Sequence, residues 1–420
     1  MSAPETVAED DSPGRGKPRA VLAILALLYT AQGIPFGIAA EYLPVIMREA
    51  HYSQTQIAAA AWLQLPWQAK ILWAHAADHP RVRPRARLVL LVLQCVLAMV
   101  IGAYAFRTFA QAPVLWFGLT ALAALFAATQ DVFVDALAVR SLPREHRGTG
   151  NMAQVSGYRA GMLVGGALLL VLSDSLGALG SLAGCAAIVA GTSVLAFKLA
   201  GGDTPAPVSV RPHTQGSSLW RVMRHAFAPG TWPVIVLAAT FKLGVHMATA
   251  VLKPMVVDAH WSKREIGMAV VVGGTLAGFA GSGVGALLHR RVSESRSLLI
   301  SCILHASASI PLLFAMWAGV PRVLTTVAIG TEHFVSGLGT TVLFAALMSA
   351  TRKDMAGAHY TFLTGANALA IGLGGMAGGA LGDHASRGAV FVVGAVVSLL
   401  PLLLVPRWER AAHASSVTPV

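Results

Sequence analysis

The chain has 420 residues, of which 55% are hydrophobic and only 12% are charged. With a mean hydropathy of +0.65 it has the composition of a polytopic membrane protein, which excludes an ordinary soluble domain. The formal charge of +12 would indicate nucleic acid in a soluble protein, but in a membrane protein positive charge follows topology, so we expect no nucleic-acid partner.

In chain order, residues 1–19 are polar and predict a cytoplasmic tail. They do not resemble a signal peptide, because the apolar run that follows is a full span without an obvious cleavage site. Segments of about 20 apolar residues, long enough to cross a bilayer as a helix, then recur along the chain. We number them spans 1 to 12: 20–41, 54–77, 88–106, 113–139, 151–173, 178–198, 231–252, 264–288, 297–318, 322–349, 357–381 and 388–405.

The longest loop, 199–230, divides these spans into two halves of six. Its composition predicts a flexible cytoplasmic linker that ends in a short amphipathic helix at the membrane surface. The stretch EAHYSQTQI (49–57) is similar in sequence to DAHWSKREI (258–266), which indicates an internal repeat. We therefore predict an all-α membrane protein with twelve transmembrane helices in two six-helix bundles, 20–198 and 231–406, and a cytoplasmic tail at 407–420.

Lysine and arginine are distributed unequally between the two sides of this arrangement. The tails and the even-numbered loops hold 21 of the 31, seven lie on the opposite side and three lie inside spans. Cytoplasmic loops carry an excess of these residues, so both termini are predicted to lie in the cytoplasm.

Ionisable residues inside the predicted spans indicate a polar interior. A charge in hydrocarbon costs at least about 2.5 kcal/mol even on lenient insertion scales, so such residues normally face a cavity or a partner. Spans 3, 6 and 12 have no charged interior residue, whereas spans 4, 7 and 10 do. Within the charged spans, the predicted proton-coupling residues are Asp131, Glu332 and His333.

Cationic and polar side chains at a similar depth are candidates for contact with an anionic substrate. Lys70, Asp131 and Arg159 lie eight or nine residues from the cytoplasmic boundary, which is roughly 12 Å at the helical rise. The predicted substrate-binding residues are Lys70, Arg159, Lys242, His246 and Gln130. An alternative stays open, in which Asp131 with Arg159 and Lys242 with Glu332 are permanent pairs that hold the bundles together.

The cytoplasmic loops contain candidates for a gate. The stretch HAADHPRVRPRAR (75–87) places Asp78 before Arg81, and Asp135 lies one helical turn from Asp131 on the cytoplasmic side. The predicted gating residues are Asp78, Asp135, Arg81 and Arg147, although a solvated positive loop is an equally good interpretation of the arginines. No spacing of ligands predicts a metal site, and the three cysteines form no CxxC pair, so no metal and no cofactor are expected.

Several motifs together resemble one branch of the major facilitator superfamily, which holds the AmpG muropeptide permeases, the acetyl-CoA transporters and the RhtX/FptX siderophore importers. They are TQDVFVDA (129–136), Arg147-Gly148, GYRAG (157–161), Lys70 with Leu72-Trp73-Ala74, Lys242-Leu243-Gly244 and Glu332-His333-Phe334. The stretch QGIPFG (32–37) is more similar to the siderophore importers. His75 stands where the branch usually has proline, and Val245 stands where muropeptide permeases often carry an acid.

The resemblance implies a secondary transporter of the bacterial cytoplasmic membrane. Its expected partners are a small-molecule substrate, protons and membrane lipid, and the chain is expected to be a monomer. The expectation is proton-driven import of a ferric siderophore or a similar bulky anionic solute. The alternatives are a muropeptide permease and an exporter of a small metabolite. No Walker A motif occurs, and no His-x4-Asp pattern of an acyltransferase occurs, so we do not expect an enzyme.

Overall fold

A computed structural model describes residues 18–73, 81–141, 147–199, 219–316, 320–352 and 356–416. Every regular element among them is a helix, and each predicted span coincides with one helix or with a short series of helices.

The helices of the first half follow the predicted spans. They are Pro18–Gly37, a π turn Ile38–Tyr42 and Leu43–Glu49 in span 1; Gln54–Ala60, Ala61–Gln64, Leu65–Ala69 and Lys70–Leu72 in span 2; Arg83–Arg85 before span 3; Ala86–Ala103 and Tyr104–Phe106 in span 3; Pro113–Ser141 in span 4; and Arg147–Leu163, the π turn Val164–Leu168 and Leu169–Leu199 in spans 5 and 6. Gly177 has a φ of 71° and interrupts the last of these, which separates span 5 from span 6.

The helices of the second half begin with one in the linker. They are Leu219–Ala226; Trp232–Thr240 and Leu243–Asp258 in span 7; Lys263–Glu265, the π-helical Ile266–Gly273 and Gly274–Arg291 in span 8; Glu294–Ala315 in span 9; Arg322–Ser349 in span 10; Ala356–His384 in span 11; Arg387–Leu399 and Leu400–Leu403 in span 12; and Val405–Ser416 after it.

By length and apolar composition, fewer than twelve of the described helices qualify as membrane-spanning helices. Within the described residues seven helices meet both criteria, or eight if the bent pair at the end of span 12 is one span. One of them, Ala153–Val194, contains the break at Gly177 and so covers two predicted spans. Span 2 is made of short pieces, so it does not meet the criterion of length.

The internal repeat is visible in the local structure of both stretches. His51 and His260 both have a positive φ, 62° and 57°, at the end of a helix. Ser53 and Ser262 then cap the next helix, each in a reciprocal arrangement with the side chain three residues later. Equivalent residues therefore end span 1 and span 7 and begin span 2 and span 8.

Close helix packing within each half depends on glycine. Span 1 lies against span 5, where a Cβ on Gly161 would overlap the backbone of Gly33. Span 8 lies against span 10 in the same way, with Gly281 on Phe334. Such small residues let two backbones approach within a lipid environment. These faces hold each bundle together.

Two helices outside the spans are joined by a hydrogen bond. The predicted surface helix of the linker is present at Leu219–Ala226, and its His225 donates a hydrogen bond of 2.8 Å from Nε2 to the carbonyl oxygen of Ser415. Val405–Ser416 lies at 55° to span 12, with Trp408 fully buried. The predicted tail 407–420 is therefore helical as far as Ser416.

Candidate functional site

Lys70 and Asp131 form an ion pair in the interior of the first half. Asp131 is almost completely buried, and Lys70 approaches it from the short helical turn Lys70–Leu72 of span 2. The alternative that Asp131 pairs with Arg159 is wrong, because the basic side chain that contacts the Asp131 carboxylate is Lys70 of span 2. The pair joins spans 2 and 4 within one bundle.

Arg159 takes another position. Its guanidinium lies 4.0 Å from the centre of the Phe279 ring, in span 8 of the other half. Among the described residues no carboxylate lies within 4.0 Å of it. A guanidinium over an aromatic face is stabilised by the ring quadrupole and still has free N–H donors.

Other predicted residues of the first half lie around Asp131. Gln130 is fully buried and donates a long hydrogen bond, 3.3 Å, to the carbonyl oxygen of Leu28. Asp135 accepts hydrogen bonds from Tyr29 Oη at 2.7 Å and from Gln154 Nε2 at 3.1 Å. The predicted gate residue Asp135 therefore ties spans 1, 4 and 5 together.

The remaining gate predictions stay untested. Asp78 lies outside the described residues, and for Arg147 only its place at the first turn of span 5 is described. Arg81 is exposed at the start of the loop before span 3.

In the second half, Lys242 occupies a break between the two helices of span 7. Its Nζ donates to Ser336 O at 3.0 Å, Ser336 Oγ at 2.8 Å and Thr340 Oγ1 at 2.9 Å, all on span 10. These three oxygens satisfy the three donors of a buried ammonium group. The interpretation of Lys242 and Glu332 as an ion pair is wrong.

Glu332 is held instead by its own neighbours. It accepts a hydrogen bond of 2.9 Å from Thr249 Oγ1, and its Oε2 lies 2.8 Å from His333 Nδ1. A carboxylate and an imidazole in contact can share or exchange a proton. Glu332 and His333 therefore form a compact acid–base pair on span 10, which Thr249 of span 7 contacts.

A cavity of about 380 Å³ lies between spans 1, 2, 7 and 11, where the two halves meet. Its wall is mainly apolar, with a small number of polar side chains, which is typical of a small-molecule site. The polar, charged and aromatic residues of the wall are Phe36, Glu41, Trp62, Gln64, Gln68, His246, Thr249 and Lys253. Of the predicted substrate-binding residues, His246 is the one that lines this cavity.

Glu41 and Lys253 form an ion pair across the cavity, with Lys253 Nζ 2.8 Å from Glu41 Oε2. Lys253 also donates a hydrogen bond of 2.7 Å to the carbonyl oxygen of Ala40. Sequence reasoning missed both residues, because it placed them at or just beyond the ends of spans 1 and 7. The helices extend further, to Glu49 and Asp258.

The two halves are tied together at the end of the molecule that carries the loops after spans 1, 7 and 11, which we call the closed end. Asp258 accepts hydrogen bonds from Arg48 Nη2 at 2.6 Å and from Arg387. Lys263 Nζ lies 3.0 Å from Glu49 Oε2. The sequence predicted a gate in the arginine loops at the opposite end and missed these contacts, although the paired acids of the repeat were a signal.

Asp383 adds a contact of another kind at the closed end. Its carboxylate accepts hydrogen bonds from the backbone N–H groups of Gln54 and Thr55 at 2.8 Å, and from Thr55 Oγ1 at 2.7 Å. Partial burial raises the pKa of Asp383, but these donors outweigh burial and hold the pKa at about 2. Asp383, two residues beyond the end of span 11, thus caps span 2 of the other half.

Among the described residues no group of three or more His, Cys, Asp or Glu side chains is arranged to hold a metal ion. The chemistry that the arrangement supports is binding of a polar solute and exchange of protons between buried acids and bases.

Comparison with known proteins identifies the family. The family model described as Major Facilitator Superfamily matches residues 25–379. The anhydromuropeptide permease of Escherichia coli K12 is 29% identical over 393 residues, which cover 92% of this chain and 79% of the permease. The putative transporter AmpG 4 of Rickettsia conorii is 23% identical over 353 residues, covering 82% of this chain and 85% of that protein.

Solved structures share the fold at 11% sequence identity. A bacterial homologue of the human lysosomal transporter Spinster, described as inward-facing and unoccupied, has a TM-score of 0.65 and covers 96% of this chain and 99% of its own. The inward-open xylose transporter XylE of E. coli has a TM-score of 0.62 with 92% and 94% coverage. The chain therefore belongs to the major facilitator superfamily, and within it to the AmpG branch.

Proposed function

We propose that this chain imports anhydromuropeptides, or closely related amino-sugar peptides, through the cytoplasmic membrane. The observation that carries the substrate class is the identity of 29% to the E. coli anhydromuropeptide permease over 92% of the chain. This is the alternative stated from the sequence, and it replaces the expectation of a ferric siderophore, which the QGIPFG stretch and the count of twelve spans favoured.

The cavity is compatible with such a solute. An anhydromuropeptide combines sugar rings, amide groups and carboxylates. The wall offers an indole at Trp62, amides at Gln64 and Gln68, and a cation at Lys253. Aromatic rings pack against the apolar faces of sugars, and amides and cations bind the polar groups.

Transport follows from alternating access of this cavity to the two sides of the membrane. With both termini in the cytoplasm, as the distribution of Lys and Arg predicts, the closed end faces outward. The structure then corresponds to an inward-facing state. Release of the contacts of Asp258 with Arg48 and of Asp383 with span 2 would open the outer side.

In this proposal, the two buried acid–base pairs couple transport of the solute to the movement of protons. Asp131 with Lys70 and Glu332 with His333 each place a carboxyl group in contact with a basic side chain in this state. A change of partner during alternating access would let each carboxylate take up or release a proton.

The test is uptake by the purified protein in proteoliposomes. A radiolabelled anhydromuropeptide should accumulate when a proton gradient is imposed, acid outside, and accumulation should stop when an ionophore removes the gradient. Accumulation of a ferric siderophore but not of the muropeptide would show that the proposed substrate class is wrong. Binding without accumulation would indicate a receptor. Uptake at the same rate with and without the gradient would show that transport is not coupled to protons.

A further inference from the structure

We propose that Lys253 is the binding site for a carboxylate of the substrate, and that Glu41 occupies this site in the substrate-free inward-facing state. The proposal rests on the proposed function and deepens it. Neither residue was predicted from the sequence to take part in binding.

The position of Lys253 supports the role. Among the described residues that line the cavity, it carries the one permanent positive charge. It lies one to two helical turns from Thr249 and His246 on the same face of span 7, and all three line the cavity. Its ammonium group therefore points to the same space as the rest of the polar wall.

Two other interior cations have fixed partners of a different kind, whereas Arg159 lies over the Phe279 ring of the other half. Lys70 pairs with Asp131 and Lys242 binds oxygens of span 10, each inside its own half. Lys253 instead pairs with a residue of the opposite half, Glu41, at 2.8 Å. Movement between the halves would preserve the first two contacts and change the third.

The movement that opens the closed end has to separate Glu41 from Lys253. Glu41 is eight residues before Glu49 in span 1, and Lys253 is five residues before Asp258 in span 7, so the pair lies roughly 8 to 12 Å below the closed end along the same two helices. When these helices part on the outer side, the ammonium group loses its carboxylate.

An unpaired ammonium group facing a low-dielectric cavity is costly, and an incoming carboxylate restores the interaction. The substrate would thus replace Glu41 on Lys253 in the outward-facing state. On return to the inward-facing state, Glu41 would compete for Lys253 and favour release into the cytoplasm. The ligand class is a carboxylate-bearing solute.

The experiment compares a radiolabelled disaccharide anhydromuropeptide that has free peptide carboxylates with the same molecule converted to carboxamides, in proteoliposomes. For the wild type we expect half-saturation at about tenfold lower concentration for the acid, which corresponds to about 1.4 kcal/mol. Lys253→Gln should abolish this preference, and Lys253→Arg should retain it. Lys263→Gln is the matched control at the exposed pair with Glu49, and it should keep the preference whatever it does to the rate.

A second variant covers the case in which Lys253→Gln does not assemble. Glu41→Gln leaves the lysine unpaired, so the detergent-solubilised variant should bind the acid more tightly than the wild type does, by about tenfold, with unchanged binding of the amide. Equal preference in the wild type and Lys253→Gln, or unchanged acid binding in Glu41→Gln, would overturn the proposal. If the wild type takes up neither form, the proposed function itself fails and the proposal fails with it.

Discussion

Three charged side chains buried in the described part of the two bundles are satisfied by groups a few ångströms away in the same half. Asp131 binds Lys70, Glu332 binds His333 and Thr249, and Lys242 binds neutral oxygens. A buried ion without such partners would cost several kcal/mol. The position of a residue along its helix predicted its depth in the membrane. The rotation of each helix about its axis decided which residues at the same depth are in contact.

Asp131→Asn tests the first-half pair. The amide cannot take up and release a proton as a carboxyl group does, and it leaves Lys70 without its charge partner. Gradient-driven uptake of labelled anhydromuropeptide should therefore fall by at least about tenfold. The measurement is accumulation in proteoliposomes with and without the gradient, at an equal amount of protein in the membrane. Full accumulation by this variant would exclude Asp131 from coupling.

Lys242→Gln separates a structural role from contact with substrate. The shorter amide cannot satisfy Ser336 and Thr340 together, and loss of such buried hydrogen bonds costs about 1–3 kcal/mol. We expect a lower melting temperature in detergent with little change in the apparent affinity for substrate. A large loss of affinity at unchanged melting temperature would instead place Lys242 in the binding site.

At the scale of helices, glycine sets the distance between neighbours, and the caps of the repeat set where spans begin. Spans 1 and 5 approach so closely at Gly161 that any side chain there would overlap the backbone of Thr30 and Gly33. Glycines on exposed faces have no such contact. The spacing of glycines in the sequence is the same in both situations, so only the packing distinguishes them.

Gly161→Val should prevent assembly of the first bundle, because the overlap is with backbone atoms that cannot rotate away. The expected result is loss of most of the folded protein, measured by size-exclusion chromatography of the detergent extract. Gly184→Val is the matched control, since nothing lies within 4 Å of a Cβ at that position, and its yield should equal that of the wild type. Equal yields for both variants would contradict the packing argument.

At the scale of the whole molecule, the two bundles meet around the cavity and at the closed end, where charge pairs and one helix cap hold them together. Asp258 is shared by Arg48 of the other half and Arg387 of its own. Such contacts are exposed and individually weak, so a network of them can be broken and remade during transport.

The cap made by Asp383 gives the closed end a pH dependence with a definite sign. The pKa of Asp383 is held at about 2, below its ordinary value of 3.8, so the carboxylate stabilises the closed arrangement fully above about pH 4. That contribution is lost as the pH falls through about 2. Distances between spin labels on spans 2 and 11 of the purified protein should therefore lengthen in this range.

Asp383→Asn provides the control for that measurement. It cannot be deprotonated, so its closed end should be looser than that of the wild type at neutral pH and should show less change between pH 4 and pH 2. A wild-type distance that is constant over this range, with an identical distance in the variant, would exclude Asp383 from closing the outer side.

The sequence by itself determined the membrane class, the positions of the helices, the repeat and several of the charged residues in the interior, because apolar run length, helix caps and the cost of a charge in lipid act locally. Only the tertiary structure decided that Lys70 and not Arg159 binds Asp131, that Lys242 binds span 10, and that Glu41 meets Lys253. The physical reason is that these pairings depend on the rotation and tilt of helices far apart in the chain. Those are set by close packing at glycines and by the contact between two bundles, and neither is contained in the pattern of a single helix.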